Sequence, residues 1–333
     1  MKREAYFDNA KFILIFLVVF GHFIQPLTSD SQAVEGLYKW IYSFHMPAFI
    51  FLAGFFAKGL GNKQYVMNLI KKLLYPYLLF QLFYSVYYFF IGEKWMTSIF
   101  HPHWSLWFLF SLFCWHMMLC WFKRLSPLLG ISVAVLLGLA VGYIDSIGHQ
   151  FSLSRTVVFF PYFLIGYWLT KEQLFRLRTP LVKGLALVVL GMAAVMASTG
   201  MDFTSDWFLG SKSYETLGLP VAGAMARLGV YLAAVLMSLS VLVFIPREEK
   251  AWSAFGQRTL YVYLLHGFFI QYIRVHEEWF YDHSFVLISS AFMSRGIVLL
   301  LSTRLVMGVW QPFIEGKAPV MRRKVYAAKE PAS

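Results

Sequence analysis

The sequence predicts an all-α protein, a polytopic integral membrane helix bundle of about ten transmembrane helices with both termini cytoplasmic. Three observations carry that prediction. First, hydrophobic residues make up 59% of the 333 residues, charged residues only 14%, and mean hydropathy is +0.61; a soluble domain of this size carries about 25% charged residues. Second, the apolar residues fall in separate continuous stretches of spanning length without period-2 alternation, which favours helices over a barrel. Third, Lys and Arg are distributed unequally. Alternate connections hold 21 of the 29, the opposite side holds six, and Arg295 and Arg304 fall inside the last span. Under the positive-inside rule the richer side, with both termini, is cytoplasmic.

In chain order the spans are expected at 12–28, 38–56, 73–91, 104–122, 127–144, 156–170, 181–199, 226–245, 259–275 and 285–310. The first is read as an uncleaved span, because Glu4 and Asp8 interrupt the basic flank and no small-x-small cleavage site follows; Asp8 and Asn9 read as its cap, with Asp8 also within i,i+3 reach of Lys11. In the second, Pro47 frees the Ser43 carbonyl and predicts a kink that opens space beside it, while Ala53 and Gly54 permit close helix approach. The fourth opens with Trp104 and Trp107 at an interfacial aromatic belt. The sixth is short and borrows flanking residues. Gly256 before Thr259 marks a loop-to-helix start for the ninth. Residues 200–225 form the longest connection, a candidate outer lid. One membrane-embedded domain covers residues 1–333, with 311–333 as a cytoplasmic tail.

The net charge of +12 is explained by this cytoplasmic belt facing anionic lipid heads, so no nucleic-acid partner is expected. Cys114 and Cys120, six residues apart on one helix, do not pair and read as small buried residues. His101-Pro-His103 lacks acidic or cysteine partners nearby, and no metal is expected.

The chemistry-bearing residues are histidines and cations inside the apolar runs. His22 stands near the middle of the first span, about 15 Å deep, where an ionisable side chain needs a reason; imidazole suits a general base acting on a hydroxyl. Lys11, eleven residues earlier, shares nearly the same helical face roughly 16 Å below. A cationic mouth under a buried base suits an anionic cofactor with a reactive tail. Arg258 and His266 repeat the arrangement in the ninth span. His45 is expected to line a substrate cavity, as are His266 and Trp107, the last by stacking on a sugar. His116 is assigned only packing or cavity lining. Arg295, mid-span, is expected to face the bundle interior, nearly opposite Arg304.

Five segments together resemble the acyltransferase family 3 proteins, in particular the fucose 4-O-acetylase-like branch: Asp8-Asn9-Ala10-Lys11 with Gly21-His22; Phe44-His45-Met46-Pro47 with Phe51-Leu52-Ala53-Gly54-Phe55; Ser105-Leu106-Trp107-Phe108-Leu109; Phe160-Pro161-Tyr162-Phe163-Leu164-Ile165-Gly166-Tyr167; and Gly256-Gln257-Arg258-Thr259-Leu260 with Tyr263-Leu264-Leu265-His266. They recur in the family's order over nearly the whole chain. The resemblance implies transfer of an acyl group, usually acetyl from acetyl-CoA, to a hydroxyl of a cell-envelope glycan or lipid-linked saccharide, in a bacterial plasma membrane. The family's first-helix pattern has Arg where this chain has Lys11, which keeps the charge and loses the bidentate fork.

On that implication, CoA phosphates are expected near Lys11, Arg258 and Lys71 or Lys72, the thioester near His22, and Arg295 or another donor at the oxyanion. Direct transfer and an acyl-histidine relay both remain open. The rival reading is a transporter or flippase for a lipid-linked glycan. It lacks the usual carboxylate relay, since no Asp or Glu falls inside an expected span.

Overall fold

The structure is a computed structural model and describes residues 4–58, 63–92, 101–103, 105–147, 152–199, 203–277, 280 and 285–316. Among them there is no strand. The helices are α1 (Ala5–Ile24), α2 (Gln32–Tyr42), α3 (His45–Phe56), α4 (Lys63–Leu69), α5 (Tyr75–Phe90), α6 (Trp107–Phe122), α7 (Pro127–Ala140), α8 (Leu153–Trp168), α9 (Lys171–Arg176), α10 (Pro180–Ser198), α11 (Asp206–Leu209), α12 (Gly223–Phe244), α13 (Thr259–Val275), α14 (Val286–Leu301) and α15 (Arg304–Glu315). The fold is that of a helical membrane protein. Among the described residues four helices are long and apolar enough to cross a bilayer: Ala5–Thr28, Lys63–Phe90, Pro180–Ser198 and Gly223–Phe244. The bent pair α14–α15 meets the same test only when taken together, as a broken span or a re-entrant loop, and Trp107–Phe122 and Pro127–Tyr143 are shorter apolar helices. Each of the ten expected stretches contains helix, but length alone does not make each of them a span.

Four expectations are altered by the packing. The first helix starts at Ala5, so Asp8 and Asn9 are buried within it rather than capping it. Asn9 is accommodated because its Nδ2 donates to the Pro246 and Glu248 carbonyls at 3.0 and 2.9 Å, while its Oδ1 accepts from Ser253 Oγ at 2.5 Å. Asp8 does pair with Lys11, at 2.8 Å. With this earlier start, His22 lies about 26 Å from the beginning of α1, close to its far end rather than mid-helix.

The second alteration is the expected kink at Pro47, which is a full break. α2 ends at Tyr42 and α3 starts at His45, leaving the Ser43 carbonyl without the intrahelical donor that proline lacks. Third, the expected span 285–310 bends by 65° between α14 and α15. Thr303 caps the second piece by accepting from the Val306 amide, so Arg304 opens a separate helix and is exposed. Fourth, residues 311–315 of the expected tail are helical; the remainder, from 317, lies outside the described residues.

A π-helical stretch, Ile70–Leu74, joins α4 to α5 immediately before Pro76. The proline supplies no N–H to the Lys72 carbonyl and its ring crowds that carbonyl, which explains the widened turn. α3 and α8 approach backbone to backbone at Gly54 and Gly166: a methyl group on Gly54 would stand 2.0 Å from the Phe163 carbonyl oxygen, and one on Gly166 2.0 Å from that of Phe51. Small residues allow this contact in a membrane, where apolar burial between helices supplies little driving force. Cys114 and Cys120 are free thiols.

Candidate active site

Residues 15, 18 and 22 lie on one face of α1 at spacings of three and four, and all three line a single cavity of 140 Å³. Lys11, a turn before Ile15, continues that stripe towards the N-terminal end of the helix. The remaining walls come from Met46 and Phe49 of α3, Leu73 of the π-helical stretch, Ser105 and four residues around the start of α6, and Thr259, Leu260 and Tyr263 of α13. Nearly all of this surface is apolar. Its polar exceptions are His22, Ser105, Thr259 and the ends of Trp107 and Tyr263, whose hydroxyl donates to the Ser105 carbonyl at 2.5 Å.

Tyr42 Oη lies 3.0 Å from His22 Nδ1, and the Tyr42 ring meets the His45 ring edge-on at 4.5 Å between centroids. Tyr38 stacks behind Tyr42 at 3.8 Å. On the other side the His266 ring stacks on His22 at 5.7 Å and 24°. His266 Nδ1 faces the carbonyls of Val262 and Tyr263 at 3.1 and 2.7 Å, and His45 Nδ1 faces the Ile41 carbonyl at 2.9 Å. A carbonyl only accepts, so both rings carry their proton on Nδ1 in the neutral form and present Nε2 as an acceptor. Tyr42 therefore touches both His22 and His45, and His266, distant in sequence, stacks on His22.

The end of α1 is locked in place by α13. Arg274 Nη2 donates to Gln25 Oε1 at 2.6 Å and to the His22 carbonyl at 3.3 Å. A cation on the last carbonyls of a helix is favourable both as a cap and against its dipole. His266 stands two turns before Arg274, so the same docking that seats Arg274 brings His266 beneath His22.

The expected site residues thus separate into groups. His22 and Trp107 line the cavity. His266 and His45 do not line it but pack around His22 and Tyr42, both deeply buried. Lys11 is half-buried and paired with Asp8, and its Nζ lies 5.9 Å from the Phe56 ring centroid. Arg258 Nη1 donates to the Ser302 carbonyl at 2.6 Å, one residue from the cavity wall at Thr259. Lys71 and Lys72 are exposed on the π-helical stretch, beside the lining residue Leu73. Arg295 is not brought to His22: its side chain is exposed on α14 and lies outside the cavity lining. Of the other histidines, His103 is fixed by Ser85 Oγ at 2.8 Å, and His116 packs against Phe163.

Sequence reasoning missed Tyr42, Arg274 and Arg155, whose guanidinium lies 5.1 Å from the Trp107 ring centroid. Tyr42 was visible as a polar-tipped residue at the Pro47 break. Arg155 and Arg274 registered only as charges on the poorer side of the topology count.

The arrangement is thus a histidine within hydrogen-bond distance of a tyrosine hydroxyl, at the end of an apolar cavity in a helical membrane protein. A family model described as an acyltransferase domain (acyltransferase 3) matches residues 4–303, and the chain belongs to that family. Among curated proteins it is similar to the nodulation protein NolL of Sinorhizobium fredii (strain NBRC 101917 / NGR234) and of Mesorhizobium japonicum (strain LMG 29417 / CECT 9101 / MAFF 303099). In each case identity is 42% over 60 residues, which is 17% of this chain and 16% of the relative's length. No solved structure matches the chain.

Proposed function

We propose that this protein is an O-acyltransferase that moves an acyl group, acetyl in the simplest case, from acyl-CoA to a hydroxyl of a cell-envelope glycan or related saccharide at a bacterial plasma membrane. The observation that carries the reading is the position of His22: Tyr42 Oη at its Nδ1, and an apolar cavity descending from it along Val18 and Ile15 towards Lys11. Membership of the acyltransferase family supports the reaction class.

In this reading the donor approaches from the N-terminal, cytoplasmic end. Lys11, Arg258 and Lys71 or Lys72 attract its phosphates, each as a charge close to a lining residue. The cavity, at 140 Å³, is smaller than the roughly 300 Å³ of common ligand pockets, so it suits only the narrow acyl-thioester end of a long molecule. Its apolar walls keep water from the thioester.

In this reading His22 Nδ1–H donates to Tyr42 Oη, and Nε2 is the basic nitrogen. Nε2 takes the proton of the acceptor hydroxyl as that oxygen attacks the thioester carbonyl carbon. The tetrahedral adduct collapses with cleavage of the carbon–sulfur bond, and the His22 imidazolium returns its proton to the departing thiolate. Ser105 Oγ, buried on the cavity wall and without a hydrogen-bond partner among the described residues, takes the developing oxyanion in this reading in place of Arg295.

The test uses purified full-length protein in lipid nanodiscs with acetyl-labelled acetyl-CoA and a bacterial envelope glycan fraction. Release of CoA with stoichiometric appearance of base-labile label in the glycan supports the reading. CoA release at the same rate in His22→Gln as in the parent overturns it.

A further inference from the structure

We propose that Arg155 holds the acceptor, and that it does so through an oxyanion on that acceptor, either the carboxylate of an acidic sugar or the phosphate of a lipid-linked one. The proposal rests on the acyl-transfer reading and adds the charge of the acceptor, which that reading leaves open.

Arg155 is the third residue of α8, at the end of the bundle where α1 finishes with His22. Its guanidinium lies over Trp107, one of the residues that line the His22 cavity. Its charge also acts on His22, Tyr38 and Tyr42. Among the described residues it makes no side-chain hydrogen bond or salt bridge, and its Nε is buried without a partner. Asp206, the carboxylate whose charge reaches Arg155, is held by Lys212 at 2.7 Å. Arg155 is half-buried, and its Nε is the part shut off from water; a buried N–H ordinarily finds a carboxylate, phosphate or carbonyl. The indole face satisfies the charge in part and leaves the buried Nε–H without an acceptor among the described residues.

Arg227 repeats the condition nearby. It is 1% exposed, lies 4.8 Å from the Tyr214 ring centroid, and lines a small gap shared with Tyr42 and Pro47. Its Nη2 donates to the Lys212 carbonyl at 3.2 Å, whereas Nε and Nη1 have no partner. Two arginines that pair with no carboxylate among the described residues therefore flank the Tyr42–His22 pair, giving that end of the bundle a positive field that favours an anion over a neutral sugar. A donor coming from the Lys11 end reaches His22 before it reaches Arg155, which assigns Arg155 to the other substrate.

The experiment measures binding to the detergent-solubilised full-length protein by saturation-transfer difference NMR, with glucuronate, glucose 1-phosphate and glucose as probes. At least one of the two anions is expected to bind at least ten-fold more tightly than glucose, and which one does so identifies the carboxylate or the phosphate as the source. Arg155→Ala is expected to lose that preference, Arg155→Lys to keep part of it, and Arg295→Ala to keep all of it. CoA binding, measured on the same samples, reports folding; Arg155→Gln decides the matter if the alanine variant does not fold. Equal binding of glucose and both anions, no anion binding by the parent, or an undiminished preference in Arg155→Ala and Arg155→Gln overturns the proposal. Failure of the parent to consume acetyl-CoA would instead count against the acyl-transfer reading, which the nanodisc assay measures independently.

Discussion

The imidazole rings of His22 and His266 stack at 5.7 Å although 243 intervening residues separate them, and Arg274, two turns beyond His266, reaches the backbone carbonyl of His22 itself. α13 is thus registered against α1 twice over one residue. This registration makes His22 a fixed group at the end of the cavity, and most of the testable consequences follow from it.

If His22 is the base, His22→Gln keeps a hydrogen-bonding side chain and loses proton transfer. Acyl transfer in the nanodisc assay is expected to fall by about 10²-fold or more, the usual scale for loss of general-base help. CoA binding, measured by equilibrium dialysis, is expected to stay within two-fold of the parent, about RT ln 2 and small beside the charge contacts at Lys11 and Arg258.

Tyr42 acts through its hydroxyl. Tyr42→Phe removes one hydrogen bond of roughly 1 kcal/mol, so kcat is expected to fall about five- to ten-fold with the KM for acetyl-CoA unchanged. Gly21→Ala is expected to have a related effect from the backbone side, because its new methyl group would stand 2.9 Å from Tyr42 Cε2 and push the ring away from His22. The double variant is expected to lose less than the sum of the two in free energy, since both act on one contact. Full additivity would separate Gly21 from the Tyr42–His22 pair.

Lys11 is paired with Asp8, so Lys11→Ala takes a cation from a buried carboxylate as well as removing a charge from the mouth. Lys11→Arg is expected to keep most acyl-CoA use, and Lys11→Ala to raise its KM by about ten-fold. Asp8→Asn/Lys11→Ala separates the two effects: recovery of folding without recovery of KM assigns Lys11 to the donor site. Recovery of both makes it structural.

The packing of α3 against α8 allows no methyl group at its crossing point. Gly166→Ala is expected to reduce the yield of monodisperse protein in size-exclusion chromatography and to lower the thermal midpoint, since the backbone of Phe51 must move for the helices to meet. Gly191→Ala on α10, where a methyl group meets nothing within 4 Å, is the matched control and is expected to leave both unchanged.

For topology, cysteines at Glu215 and Glu249, both exposed, are expected to label from opposite faces with an impermeant thiol reagent. Glu215 labels from outside and Glu249 only after permeabilisation. Labelling of both from one face contradicts the orientation drawn from the charge count.

The apolar stretches, the Lys and Arg asymmetry and the ordered motifs make the helical membrane class, the family resemblance and the individual histidines legible in the sequence. These are local properties: hydrophobic run length, charge in short connections, and an ionisable group where the surroundings penalise one. The shared face of Lys11 and His22 is also local, a matter of helical periodicity, and Ile15 and Val18 fill in the stripe between them along the cavity.

What tertiary structure alone decided is which of these groups meet. Arg295 and Arg155 are equally anomalous as charges near apolar runs. One is exposed on α14, and the other is turned onto Trp107 beside the site. Asp8 and Asn9 look like a helix cap because partners of both lie more than two hundred residues away: Asn9 donates to the carbonyls of Pro246 and Glu248, and Asp8 accepts from Gln257. The depth of His22 depends in turn on where α1 begins. Periodicity fixes the face on which a side chain stands within its own helix, but the rotation and register of one helix against another are set by long-range contacts such as Gly54 with Phe163 and Arg274 with Gln25. No local pattern encodes those contacts, so the sequence supplied the chemistry of the candidate site and the packing of the bundle supplied its composition.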